Sequence, residues 1–181
     1  IKLSQGAKPG KGGVLPGGKV TEEIARIRGI PAGKDSISPN RHYDIANMDQ
    51  LLEKVAALRD LTGRPVGIKT AVGGWEFIND LCDTVLRRGK EYAPDFLHID
   101  GGEGGSGAAP QTLMDHMALP IAEALPRVVD SLLQSDLKSR IRVVAAGKLV
   151  TSARAAWALC VGADFVVTAR GFMFSLGCIQ A

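Results

Sequence analysis

Cysteine is scarce in this 181-residue sequence, and long apolar runs are missing from it. The three cysteines, Cys82, Cys160 and Cys178, are too few and too scattered for a disulfide framework, which indicates a reducing compartment. No apolar run approaches the roughly 18 residues that a membrane span needs, and no signal peptide is visible. The sequence therefore predicts a cytoplasmic protein that has no membrane partner.

A strong excess of one charge is also missing. The net charge is +3 at pH 7, without a block of like charges, and aromatic residues make up only 5% of the chain. Nucleic acid is therefore not an expected partner.

His42, His98 and His116 show no metal-ligand spacing, and no Cys-x-x-Cys pair exists. Since His98 lies within an apolar run, it is predicted to be a core residue with satisfied polar atoms.

Glycine, in contrast, is abundant, with 22 residues, and five of them fall within GGEGGSGAAP, residues 101–110. This stretch directly follows the apolar run FLHID, residues 96–100. Glycine lets backbone N–H groups approach a ligand because no Cβ stands in the way. The pattern predicts a strand that leads into a ligand-binding loop.

Strand and helix patterns alternate along most of the chain. Strands are predicted at residues 1–4, 66–70, 96–100, 141–146 and 165–169. Helices are predicted at about residues 48–61, 74–89, 118–134 and 151–161, with a short helix between Thr21 and Gly29. Residues 5–19 and 31–45 have no periodicity and are predicted to be irregular.

The strands are β-branched runs without polar alternation, as in parallel sheets that are buried on both faces. Two α/β architectures fit, an open doubly wound sheet and a (βα)8 TIM barrel. Polar or small residues occur after every strand and do not cluster at a single switch point of the sheet, which favours the barrel. A complete barrel takes about 250 residues. Residues 1–181 are therefore predicted to form one partial domain, truncated at both ends, that covers about strands four to eight.

Unpaired strand edges at both ends of such an arc favour association, with a homo-oligomer as one outcome.

Two of the strands are followed by glycine and a cation, Gly147 with Lys148 and Gly171 with Arg170. Glycine amides, helix starts and cations suit a phosphate group. Either loop alone would be explained as an ordinary turn beside a solvated cation, but the pair favours a phosphate site.

Lys69 lies near the end of a predicted buried strand, where an ammonium group needs an anionic partner. One role would place it beside an electron-rich ring or a substrate carboxylate. The other is a salt bridge to Asp100 or Glu103, and the two roles are compatible. A Schiff-base lysine of an isomerase or aldolase barrel is a further hypothesis.

Three motifs resemble the flavin domain of glutamate synthase, most closely the stand-alone FMN-binding members of that family. They are IKLSQGAKPGKGGVLPGGKV at residues 1–20, GGEGGSGAAP, and ARGFMFSLGCIQA at residues 169–181. The resemblance implies a (βα)8 barrel that binds FMN, with a three-iron four-sulfur (3Fe-4S) cluster beside it. It also implies that reduced FMN passes a hydride to 2-iminoglutarate, made from 2-oxoglutarate and ammonia, to give L-glutamate. The electron donor would be ferredoxin or a nicotinamide-dependent partner subunit.

The same resemblance assigns roles to individual residues. Lys8 and Arg28 fall on positions that hold the 2-oxoglutarate carboxylates, and Lys69 falls on a catalytic lysine beside the flavin and the substrate. The residues assigned to FMN are Lys69, Glu103, Gly104, Gly105, Ser106, Gly107, Gly147, Lys148, Arg170 and Gly171. Cys178 matches the first of three cluster cysteines, whose partners would lie beyond Ala181.

Two positions depart from the large glutamate synthases. Val14 stands where they have a substrate-binding glutamine, and Glu103 stands where they have aspartate. The first departure keeps another oxo or imino acid open as the substrate. The alternative from a different functional class is a barrel that binds a phosphorylated ligand and carries out no redox chemistry.

Overall fold

The computed structural model describes residues 1–9, 12–105 and 109–178. The chain divides into two compact units. The first contains Ile1–Pro9 and the chain from Tyr43 onward, and the second contains the stretch between them. None of the helices in these described ranges is long and apolar enough to cross a membrane.

The described part of the second unit holds two short strands, one α-helix and a 3-10 helix (Gly17–Lys19). Strand β1 (Val14–Leu15) pairs antiparallel with β2 (Ser36–Ile37). Helix α1 (Glu22–Arg28) begins where the Thr21 side chain accepts a hydrogen bond from the Ile24 N–H, as predicted. The prediction of irregular chain at residues 5–19 and 31–45 missed both strands, because two residues are too few to show an alternating pattern.

The first unit contains a parallel four-stranded sheet in the order β3-β4-β5-β6. Its strands are β3 (Gly67–Thr70), β4 (Phe96–Asp100), β5 (Arg142–Ala146) and β6 (Phe165–Val167). Lys2 forms a parallel bridge beside Lys69, so residues 1–4 extend the sheet at the β3 edge. The predicted α/β fold with parallel strands is confirmed.

Five helices accompany this sheet: α2 (Met48–Thr62), α3 (Glu76–Arg88), α4 (Ile121–Gln134), α5 (Ser152–Val161) and α6 (Arg170–Ser175). The predicted bounds of α2 hold closely. The Asn47 side chain caps its start, and Gly63, with φ 61°, ends it. Apolar side chains of α2, α3 and α4 form a single core with the outer face of the strands.

The two faces of the sheet differ in burial. In β4, Leu97 and Ile99 are fully buried in the core, whereas Phe96, His98 and Asp100 on the opposite face are only partly buried. The prediction that the strands are buried on both faces is wrong for this second, inner face. Helices α2, α3 and α4 pack on the outer face, and Lys69 and Asp100 of the inner face line the cavity described below.

An acidic residue secures the start of β4. The Asp95 carboxylate accepts hydrogen bonds from the Val66 N–H at 2.7 Å, from Arg59 Nε at 2.9 Å and from Arg140 Nη1 at 3.0 Å. Burial by itself would raise the pKa of Asp95, but these hydrogen bonds and the Arg59 charge together lower it below its usual value. The charged carboxylate therefore stabilises the amino end of the sheet.

Candidate active site

A cavity of about 200 Å³ lies at the carboxyl ends of the parallel strands. Residues of the first unit line it: Gln5, Lys69, Asp100, Gly104, Gly105, Ala146, Gly147, Lys148, Leu149, Val150, Val167, Thr168, Ala169 and Arg170. The carboxyl ends of parallel strands are where α/β barrels carry their functional residues. The structure thus brings the ends of all four strands to one place.

Lys69 reaches the cavity from β3. Its Nζ lies 3.7 Å from Asp100 Oδ2, and its side chain is 32% exposed. The ion pair with Asp100 is one of the two salt bridges that the sequence analysis allowed. At this distance it is too long for a hydrogen bond. Because no hydrogen-bond partner of Nζ occurs in the described part of the chain, the ammonium N–H donors are available to a ligand.

Asp100, the last residue of β4, also contacts the amino-terminal loop. The Gly6 N–H donates a hydrogen bond of 2.8 Å to Asp100 Oδ2, the same oxygen that faces Lys69. A Cβ at Gly6 would collide with the Gly101 carbonyl, so only glycine allows this approach. Lys8 lies two residues further along this loop. The sequence pattern singled out Asp100 only as a salt-bridge partner and missed its contact with Gly6.

Glu103 and the neighbouring glycines form the start of the loop after β4. Both Glu103 carboxylate oxygens accept from the Ile121 N–H, at 3.0 and 2.9 Å, at the beginning of α4. Negative charge is favourable at this end of a helix. Gly104 and Gly105 line the cavity, and a Cβ at Gly104 would lie 2.9 Å from Asp100 Oδ1. Of the other predicted loop residues, Ser106 and Gly107 lie outside the described residues.

The loop after β5 is held in an unusual backbone conformation. Gly147 has φ 134° and Lys148 has φ 45°, a value that L side chains rarely adopt. Lys148 Nζ lies 3.8 Å from Asp115 Oδ1, and Asp115 itself has φ 67°. These two residues connect the loops after β4 and β5 beside the cavity. Strained backbone of this kind concentrates at functional sites.

The loop after β6 brings a third cation to the cavity. Arg170 lines it together with Gly147 and Lys148, so the two predicted phosphate loops do meet. Gly171 follows at the start of α6, where a Cβ would lie 2.7 Å from Thr168 Oγ1 and 3.0 Å from the Val150 carbonyl oxygen. Both loops therefore bring glycine backbone and a cation to the same cavity.

His98 lies on the inner face of β4, in register with Lys69. Its Nε2 is buried and has no hydrogen-bond partner among the described residues, so the prediction of a satisfied core histidine is wrong. Burial first, and then the Lys69 charge, lower the pKa of His98, while Asp100 raises it. The imidazole is therefore favoured in its neutral form.

Several predicted site residues are not among those that line the cavity, including Lys8, Arg28 and Cys178. Arg28 is exposed in the last turn of α1, in the second unit. Cys178 is the last described residue and is exposed. Within residues 1–9, 12–105 and 109–178, no group of three or more His, Cys, Asp or Glu side chains could hold a metal ion. The roles of these residues, like those of the residues that line the cavity, remain predictions.

Comparison with protein families gives one match that spans the chain. The family described as "Conserved region in glutamate synthase" matches residues 1–181. The glutamate synthase large subunit-like protein YerD of Bacillus subtilis is 48% identical over 182 residues, which cover 100% of this chain and 34% of that protein. The archaeal glutamate synthase [NADPH] of Methanocaldococcus jannaschii is 39% identical, over 98% of this chain and 34% of that protein. The chain thus spans about a third of the length of these curated relatives.

Comparison with solved structures supports the barrel over the open sheet. A mutant flavocytochrome b2 with pyruvate bound matches with a TM-score of 0.52 and 20% sequence identity. The match covers 80% of this chain and 31% of that chain. At this identity the likeness concerns the fold alone. The parallel strands with their helices are part of a (βα)8 barrel, as predicted.

Proposed function

Because the chain belongs to the family of the conserved region in glutamate synthase, we propose that it forms part of an FMN-dependent oxidoreductase. In this proposal the enzyme reduces 2-iminoglutarate, formed from 2-oxoglutarate and ammonia, to L-glutamate. The observation that carries the proposal is the convergence of Lys69, Lys148 and Arg170 on one glycine-lined cavity at the strand ends.

The residues around the cavity suit FMN. Three cations and one carboxylate line it, which favours an anionic ligand such as the FMN phosphate. Gly104 and Gly147 leave the backbone open where a Cβ would crowd neighbouring atoms. Gly147, Lys148, Arg170 and Gly171 would hold the phosphate, and Glu103 to Gly107 would lie along the flavin.

FMN, when bound, supplies the hydride for the reaction. The task of the protein is to orient the substrate and to exclude competing reactions. Lys69 would donate hydrogen bonds to the flavin or to the imino acid, because its ammonium makes no hydrogen bond within the described chain and only an ion pair with Asp100 at 3.7 Å. Lys8 and Arg28 would bind the two carboxylates of 2-oxoglutarate through charge-assisted hydrogen bonds.

The remaining parts of the proposal concern electron supply. Cys178 would be one ligand of a three-iron four-sulfur cluster, and the electron donor would be ferredoxin or a nicotinamide-dependent partner. The names of the archaeal and archaeal-type relatives carry NADPH, which supports the nicotinamide route. The cluster and the transfer of electrons from the donor both depend on parts of the protein outside the cavity.

Cofactor identification and product analysis test the proposal. The intact protein is purified, the released cofactor is identified by chromatography, and glutamate formation is followed with 2-oxoglutarate, ammonia and NADPH or reduced ferredoxin. We expect FMN and L-glutamate. A colourless protein that still binds inorganic phosphate would instead support a phosphate-binding module without redox chemistry.

A second candidate keeps the cofactor but changes the substrate. Val14 stands at a predicted substrate position, and its side chain is 53% exposed and cannot form a hydrogen bond. An oxidoreductase for another oxo or imino acid fits this feature. A panel of 2-oxo acids with ammonia, tested for reoxidation of the reduced protein, separates the two. A faster reaction with a less polar acid would favour the second candidate.

A further inference from the structure

Asp100 is placed to connect two parts of the site that the sequence analysis treated separately. Its Oδ2 accepts the Gly6 N–H at 2.8 Å and lies 3.7 Å from Lys69 Nζ, and its Oδ1 lies 2.9 Å from the position that a Cβ on Gly104 would take. The Asp100 side chain is only 13% exposed. Among the described residues, it is the one carboxylate within ion-pair distance of Lys69.

We propose that Asp100 is a positioning residue, whose carboxylate fixes the Lys69 ammonium and the loop that carries Lys8 in one geometry. This inference rests on the proposed function, since it concerns the catalytic lysine and a substrate-binding lysine of that reaction. The first contact is electrostatic and needs the charge. The second is a hydrogen bond and needs only an acceptor oxygen.

The charge of Asp100 is unfavourable for the ligand itself. A carboxylate beside a site for an anionic ligand repels that ligand, and the repulsion is strong where water is partly excluded. A group that only shaped the pocket would not need this charge. Its presence is explained if the ion pair holds Lys69, because the 3.7 Å contact directs the ammonium without using its hydrogen-bond donors.

Two substitutions in the intact protein separate the contacts. Asp100→Asn keeps an acceptor oxygen for the Gly6 N–H but removes the charge that faces Lys69. Asp100→Ala removes both. The matched control is Asp60→Asn, at an exposed position of α2 away from the cavity. Binding of FMN to the apo-protein, kcat, KM for 2-oxoglutarate and thermal stability are measured for each.

For Asp100→Asn we expect kcat to fall about tenfold, which is the rate effect of one lost charge contact. The affinity for FMN should be unchanged or higher, because repulsion is removed, and KM should change less than threefold. For Asp100→Ala we expect KM for 2-oxoglutarate to rise as well, because the loop of Lys8 is released. The control should behave as the wild type does.

Wild-type kcat in Asp100→Asn would overturn the proposal. So would a parallel loss of FMN affinity and thermal stability, which indicates a merely structural role. A wild-type protein that forms no glutamate would instead refute the proposed function. In that case hydrogen–deuterium exchange of the segment around Gly6 still tests the hydrogen bond between the Gly6 N–H and Asp100. We expect faster amide exchange in Asp100→Ala alone. Equal exchange rates in all variants would show that this hydrogen bond does not hold the loop.

Discussion

Lys69 is the residue on which the proposed reduction depends first. We expect Lys69→Ala to abolish or strongly weaken reduction of the imino acid, because the hydrogen-bond donors that we propose to lie beside the flavin and the substrate are lost. Binding of the FMN phosphate should persist, since Lys148 and Arg170 supply the other cations of the cavity. Turnover and the dissociation constant of FMN are measured on the intact protein.

The control for this experiment is Lys90→Ala. Lys90 pairs with Asp136 and lies outside the cavity lining, so its removal deletes one lysine without touching the site. Turnover that is unchanged in Lys69→Ala would refute the catalytic role of this lysine.

A second residue-scale prediction concerns stability and pH. The pKa of Asp95 is lowered in the folded protein, so its charged form stabilises the fold above the ordinary value of 3.8, and the contribution disappears as the pH falls through the lowered pKa. We expect Asp95→Asn to reduce the free energy of unfolding by about 2–3 kcal/mol at neutral pH. Urea unfolding at pH 7 and near pH 3 measures the effect.

The difference between wild type and Asp95→Asn should shrink at the lower pH, because there the carboxyl takes up a proton in the unfolded chain more readily than in the folded protein, whose Asp95 pKa is lowered. An equal difference at both pH values would contradict the electrostatic explanation. It would indicate that the substitution acts through packing around Arg59 and Arg140.

At the element scale, α4 contains an internal proline. Pro126 lies in the sixth position of Ile121–Gln134, where its missing N–H leaves the Ala122 carbonyl without the usual helical hydrogen bond. We expect Pro126→Ala to raise the free energy of unfolding by about 1–2 kcal/mol, since the greater freedom of the unfolded chain offsets part of the gain. Chemical denaturation measures this, and a lower stability would show that α4 is adapted to the proline.

The long elements were predictable from sequence because their signals are local. Asn47 and Gly63 mark the ends of α2, and the apolar run of residues 96–100 coincides with β4. The strands β1 and β2 were missed, because each has only two residues and depends on its partner. Local patterns likewise gave no sign that Lys148 has a positive φ.

The candidate site was predictable only in part for a related reason. Glycine and cations after successive strands indicated the phosphate loops, since strand ends meet in a parallel sheet. The contact of Gly6 with Asp100 joins residues far apart in sequence. The unpartnered Nε2 of His98 is a feature of the folded sheet, and the sequence of β4 alone does not reveal it.

At the scale of the whole molecule, the partial barrel leaves apolar surface uncovered in the first unit. Phe165 and Val167 of β6 are 61% and 43% exposed, and Phe172 and Phe174 of α6 are also exposed. Exposed apolar side chains and a strand at the edge of a sheet favour association. We expect this 181-residue chain, expressed alone, to run in size-exclusion chromatography with light scattering above its monomer mass of 19.1 kDa.

A double substitution, Phe165→Ser with Val167→Ser, should reduce that association, because it removes exposed apolar side chains of β6. Thr21→Ser, a conservative change at the cap of α1, is the control. A monomer that binds no hydrophobic dye would contradict the expectation, since it would show that this surface is covered within a single chain.

One half-reaction shows whether the intact protein is an FMN enzyme that makes glutamate. The flavin of the intact protein is reduced without oxygen, 2-oxoglutarate and ammonia are added together, and visible absorbance and glutamate are measured. We expect reoxidation of the flavin, with one L-glutamate formed for each flavin. Flavin that stays reduced in the presence of both substrates, with no glutamate formed, would contradict the account.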